Sequence, residues 1–159
     1  MRYIMKQKVF SFAERFGIRS EAGEDIFFVN GEVFSLGHKL SFEDAGGNEL
    51  LFIRQKLLSF GPTYEIFRGE EHVATVRKEP FTFFQCTFDI HVDGRGDLEA
   101  LGNLTDHEYT VSRDGQPVAQ ISKAWFDWAD TYGVDVADSE DQLLILASTV
   151  VIDLCCHHD

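Results

Sequence analysis

Basic residues are in short supply: Lys and Arg number 14 against 27 Asp and Glu, a formal net charge of −13 over 159 residues. Such a surface repels nucleic-acid phosphates and anionic headgroups unless a local basic patch overrides it, so no nucleic-acid partner is expected. The opening Met1-Arg2-Tyr3-Ile4-Met5-Lys6 leads into no apolar run long enough for a secretory signal, which makes the cytoplasm the expected location. Cysteine is scarce too. Cys86, Cys155 and Cys156 are odd in number and two are adjacent, which argues against an intramolecular disulfide framework. There is no long amphipathic helix before residue 138 and no Gly-x-Ser-x-Gly nucleophile elbow.

What is present is aromatic and β-rich. Fifteen Phe need a well-enclosed interior, and the chain length suits one domain, 1–159, with a core of its own. Short apolar or β-branched runs alternate with glycine-containing turns. Gly23, Gly46, Gly69 and Gly115 lie at steps of 23, 23 and 46, with a blurred unit at Asp93-Gly94-Arg95-Gly96-Asp97. Each hairpin is too small to bury its own apolar face, so the series must share one core, as a closed barrel or two packed sheets. The strands Leu51–Gln55, Ala74–Lys78 and Ala119–Lys123 match in phase. If Ile53, Val76 and Ile121 face inward, then Gln55, Lys78 and Lys123 do as well, at a barrel mouth.

From Leu143 to Leu154 the chain is almost uniformly apolar, preceded by Asp138-Ser139-Glu140-Asp141-Gln142. Ser139 and Gln142 fit a capping box. The run is apolar on every face, so a helix here must be enclosed; at roughly 18 Å it is too short for the roughly 30 Å core of a bilayer. A central helix sheathed by strands follows. Asp153, a structural buried carboxylate near the unfavourable end of the helix dipole, calls for a cation, Lys123 or Lys78 by their phase.

Tyr3-Ile4-Met5-Lys6-Gln7-Lys8-Val9-Phe10, Lys39-Leu40-Ser41-Phe42, Gln55-Lys56-Leu57-Leu58-Ser59, His107-Glu108-Tyr109 and Asp130-Thr131-Tyr132-Gly133-Val134 resemble, in order, the LURP-one-related family, YxjI-like branch. That resemblance places the chain in the tubby C-terminal-like group, with the phospholipid scramblases. It implies a closed antiparallel β-barrel of about a dozen strands around a hydrophobic C-terminal α-helix, a mainly β fold. Tubby domains bind phosphoinositide headgroups through basic residues, but no such motif carries over residue by residue.

Candidate chemistry is thin. Cys155-Cys156-His157-His158-Asp159 has zinc-ligand residue types, yet adjacent ligands on a fraying helix end cannot converge on one tetrahedral ion, so no metal and no cofactor is expected. Asp127, Asp130, Asp135, Asp138 and Asp141 lack the alternation and central glycine of an EF-hand loop, and solvated turns and capping account for them. In Trp125-Phe126-Asp127-Trp128 the aromatics fall in both phases, leaving one on the outer face to cover a loop or meet a partner. The expected function is a non-catalytic binding or scaffold module at one barrel mouth, engaging a phospholipid headgroup or a protein partner through Arg54, Lys56, Arg77, Lys78 and Lys123. The alternatives are an enzyme with a site near His107 and a scramblase-like membrane protein, against which the short terminal helix stands.

Overall fold

The computed structural model describes residues 1–6, 16–32, 36–80, 85–103, 108–122 and 131–156. Alternation of apolar and polar residues between turn glycines produces twelve strands: β1 (Arg2–Lys6), β2 (Phe16–Ser20), β3 (Asp25–Gly31), β4 (Lys39–Asp44), β5 (Glu49–Gln55), β6 (Thr63–Arg68), β7 (Glu71–Lys78), β8 (Gln85–Val92), β9 (Leu98–Asn103), β10 (Glu108–Arg113), β11 (Gln116–Ser122) and β12 (Thr131–Val136). Each pairs antiparallel with its neighbours in sequence. The first and last also pair, with Tyr3 opposite Val134, so the sheet closes into a barrel without edges.

Hairpin turns set the spacing. The left-handed glycines Gly23, Gly47, Gly69, Gly94 and Gly115 follow one another at 24, 22, 25 and 21 residues, so the blurred unit falls into line through Gly94. In the second hairpin the left-handed residue is Gly47, not Gly46. The Gly46 N–H donates to the Asp44 carboxylate at 2.9 Å, which moves the reversal one residue on. Register shifts at Ile18/Arg19, Phe42/Glu43, Ile66/Phe67 and Val111/Ser112 all lie close to these turns, where an extra residue adds the twist that closure requires.

The inward-facing residues of the wall, among them Phe42, Leu51, Ile53, Ile66, Phe88 and Ile90, enclose helix α1 (Gln142–Cys156). Every residue from Leu144 to Leu154 is buried, as an all-round apolar helix demands. The cap is Asp141 rather than Ser139: its carboxylate accepts the Leu144 N–H at 3.2 Å and its carbonyl the Ile145 N–H. Ser139 is consumed in the preceding turn, which the Glu140 N–H closes on the Ala137 carbonyl, while the Gln142 amide donates back to Ala137 and Glu140. Thr149 donates to the Ile145 carbonyl at 2.8 Å, hiding its hydroxyl inside the helix. Among the described residues no helix is long and apolar enough to cross a membrane.

The cysteine expectation is corrected. Cys86, buried at the start of β8, is bonded to Cys156 at the end of α1, with Cα atoms 7.0 Å apart. Adjacency of Cys155 and Cys156 is no obstacle, because successive helical residues diverge by about 100° and only Cys156 is aimed at β8.

Strand alternation gives the barrel two unlike ends. The short turns at residues 21–24, 45–48, 69–70, 93–97 and 114–115 share one, with Met1 and the start of α1. The strand ends joined by the longer connections share the other, where α1 terminates. We call these the turn end and the loop end.

Candidate functional site

The loop end changes character with depth. At the strand ends there, Thr63, Thr87, Ser122 and Thr131 are buried in the outward phase of the wall, and two tyrosines, Tyr64 and Tyr109, are buried in the inward phase. Burial pushes both phenols well above the usual tyrosine range; for Tyr109 the Asp153 carboxylate adds to the effect. Asp153 itself is only 6 % exposed. Of its two expected cations, Lys123 lies outside the described residues, and Lys78 reaches the same end of the helix but donates to the Cys155 carbonyl at 3.4 Å. That contact places an ammonium against the negative pole of α1. Burial also drives the Cys155 thiol up to about 12, with Lys78 opposing, so it stays protonated at neutral pH.

Further out lies an open groove of about 400 Å³ lined by Leu36, Lys39, Arg54, Gln55, Lys56, Leu57 and Glu65. Its geometry comes from the register of β4 on β5, which sets Lys39 opposite Arg54, and from reciprocal bonds between residues 38 and 55. Gln55 N–H donates to the His38 carbonyl at 2.8 Å and the Gln55 side chain accepts the His38 N–H at 3.0 Å. Leu57 then rests over Gly37, where an added Cβ would come within 3.1 Å of it. His38 stacks on Tyr64 beneath, ring centroids 6.4 Å apart.

The five basic candidates therefore separate. Gln55 and Lys78 take the inward phase, half-buried at the mouth. Arg54 and Lys56 line the groove; Arg54 lies 4.9 Å from the Phe67 ring centroid and 3.5 Å from Glu65. Arg77 points outward on another part of the wall, 3.9 Å from Asp89. His107, Trp125, Phe126, Asp127, Trp128 and Asp130 lie, like Lys123, outside the described residues. Lys39 and Leu36 join the site without having been singled out in the sequence, because only the β4–β5 register brings them to Lys56 and Leu57.

Two polar clusters sit on the outer wall, the first of them reaching the groove through His72 Nε2, 3.5 Å from Glu65. His72 contacts Asp93 at 2.7 Å through Nδ1 and Thr75 at 3.0 Å through Nε2, a base with an orienting carboxylate and a hydroxyl, and no feature of the sequence sets His72 apart from the other histidines. Glu79, Asp89 and Glu99 bring carboxylate oxygens within 4.8 Å of one another. Glu79 is held above the usual carboxylate range, first by burial, then by a hydrogen bond to Asp89 and the charges of Asp89 and Glu99, with Arg77 opposing. A carboxyl raised on folding binds its proton more tightly in the folded state, so stability rises as pH falls through the window just above the ordinary carboxylate range. Glu79→Gln is expected to flatten that dependence and to stabilise the protein at pH 7 by about 0.5 kcal/mol in urea unfolding. A loss of stability at pH 7 would instead mean that the cluster is held together by a cation.

A family model for LURP-one-related proteins matches residues 1–153. The YxjI protein of Bacillus subtilis (strain 168) is 37% identical over 156 residues, 98% of this chain and 93% of its own length. A solved structure of an Arabidopsis thaliana protein superposes with a TM-score of 0.65 at 20% identity, covering 95% of this chain and 88% of that one, which shows a shared fold. With the described strands closed into a barrel around a terminal helix, and the sequence matched nearly end to end, the chain belongs to the LURP-one-related family.

Proposed function

We propose that this protein is a non-catalytic binding module that holds an anionic phospholipid headgroup at the loop end of its barrel, as a peripheral partner of the membrane surface. The observation that carries this reading is the segregation of charge. In a chain of net charge −13, the groove at the loop end is bordered by Lys39, Arg54 and Lys56 against one carboxylate, Glu65. Among the described residues, acidic side chains such as Glu21, Glu24, Glu70, Glu71, Asp97 and Asp114 crowd the turn end and outnumber Arg2, Arg19, Arg68, Arg95 and Arg113 there. A strand such as β5 separates the two ends by about 20 Å. That exceeds two screening lengths of about 8 Å at physiological salt, so the acidic end scarcely weakens the local attraction and instead orients the molecule away from an anionic surface.

Lys39 and Lys56 have no carboxylate partner among the described residues, which leaves both ammonium groups available to a phosphate as far as those residues go. Liposome flotation across lipid compositions tests the reading. Enrichment on phosphatidylglycerol-containing vesicles is expected, falling with added salt. Each lysine near the surface contributes about 1 kcal/mol, so Lys39→Ala with Lys56→Ala should weaken binding about 30-fold. Absence of enrichment on every anionic membrane would remove the proposal.

A further inference from the structure

The three most exposed large apolar side chains among the described residues, Leu58, Phe60 and Leu36, are gathered beside the groove together with Leu57. Leu58 is 104 %, Phe60 91 %, Leu36 85 % and Leu57 51 % exposed. Three of them belong to one connection, Lys56 to Pro62, between β5 and β6. A protein surface tolerates single exposed leucines without comment, but four large apolar groups at one barrel end, where the described turns of the opposite end present chiefly Gly, Asp and Glu, form a patch that calls for an occupant.

This connection is held in place by its own backbone. Lys56 N–H donates to the Thr63 carbonyl at 2.8 Å, and Lys78 N–H to the Pro62 carbonyl at 3.0 Å, tying both of its ends to the barrel. The Ser59 hydroxyl lies within hydrogen-bonding reach of the Lys56 and Gly61 carbonyls, at 3.3 and 3.0 Å. Gly61 takes the left-handed conformation at φ 73°, and so does Leu58 at φ 61°. A leucine is disfavoured in that region and gains no packing here in return, since its side chain is fully in solvent. The connection thus spends backbone strain to project Leu58 outward, which makes sense only if something outside the molecule receives it.

We propose that residues 56–62 are an insertion wedge, placing Leu57, Leu58 and Phe60 among the acyl chains of an anionic bilayer while Lys39 and Lys56 sit at the level of the phosphates. This rests on the membrane reading above and goes further, from headgroup contact to penetration. The wedge is a projecting tip and not a cleft, which suits a deformable apolar phase. Its apolar residues are bordered by lysines that have no carboxylate partner among the described residues, the order of groups that a membrane interface presents in reverse. Pairing the patch with a second copy of the chain would bring Lys39 and Lys56 of both copies together, a like-charge contact that disfavours self-association.

The full chain with Leu57→Ala, Leu58→Ala and Phe60→Ala, alone and combined, should be compared with Lys39→Glu/Lys56→Glu by flotation on phosphatidylglycerol–phosphatidylcholine vesicles. Each apolar truncation is expected to weaken binding about tenfold and the triple variant at least about a hundredfold, with the thermal midpoint unchanged for Leu58→Ala and Phe60→Ala, which pack on little, and slightly lowered for Leu57→Ala, which rests over Gly37. Leu58→Trp should add fluorescence that shifts to the blue on vesicles and is quenched by lipids brominated in their acyl chains, above the wild-type background. If the triple variant binds as wild type while the lysine variant does not, the wedge is overturned and the headgroup reading survives. If wild type binds no vesicle, both fall. A lipid-free dimer that the triple variant abolishes would also overturn the wedge, by giving the patch to a second copy.

Discussion

Leu146→Ala is expected to lower the stability of the protein by about 4 kcal/mol, near the upper part of the range for a buried leucine. Leu146 is completely buried in the middle of α1, with strands on all sides. The cost of such a truncation depends on how far the surroundings can collapse into the space left behind. Here they can collapse very little: the wall is a continuous ring of backbone hydrogen bonds, and α1 is fastened at one end by the Asp141 cap and at the other by Cys156. For a chain of this length the change corresponds to a midpoint roughly 8–16 °C lower. Urea unfolding followed by far-ultraviolet circular dichroism measures it, with Leu143→Ala, half-buried in the first turn, as a milder comparison. A loss under about 1.5 kcal/mol at Leu146 would mean that the barrel can contract around its helix, contrary to a rigid sleeve.

Gly102→Ala is the second. Gly102 faces inward on β9, directly opposite Tyr109 of β10, and the tyrosine ring lies flat in the space a side chain would occupy. An added Cβ would sit 2.0, 2.3 and 2.6 Å from three ring carbons. Real contacts do not reach such distances, so the ring or a strand must move. The ring has nowhere to go, being buried beside the helix end, and the expected cost is about 3 kcal/mol or more. Tyr109→Leu should relieve it: in a double-mutant cycle the pair is expected to be more stable than the sum of the two single changes by at least about 1 kcal/mol. Additivity would show that Gly102 is needed for its backbone alone and not for the space it leaves.

Much of this fold is legible in the residues, because it rests on local and periodic signals. Turn glycines at near-constant spacing announce hairpins, and a stretch too short for lipid yet apolar on all faces leaves only a protein sleeve for Leu143 to Leu154. Details decided by competition between near-equivalent groups were harder. Ser139 and Asp141 are both capping residues, and the preceding turn chose between them; Gly46 and Gly47 both donate to Asp44, the first to its carboxylate and the second to its carbonyl. The bridge from Cys86 to Cys156 depends on which of two adjacent cysteines faces the wall, a matter of helix rotation. The loop-end surface was half visible. Arg54 and Lys56 are conspicuous cations, but Leu57, Leu58 and Phe60 read as ordinary core formers, and Lys39 with Leu36 meets them only through cross-strand register.

The pairing of β1 with β12, and the position of α1 after all twelve strands, govern how the protein can be made. During synthesis at about 5–20 residues per second, the first eleven strands emerge before either the partner that closes the ring or the helix that fills it. For several seconds the nascent polypeptide holds an open sheet with two unsatisfied margins and a greasy concave face. Folding to completion must therefore wait until α1 has emerged, and a chain interrupted before residue 142 is left without the element that covers its interior.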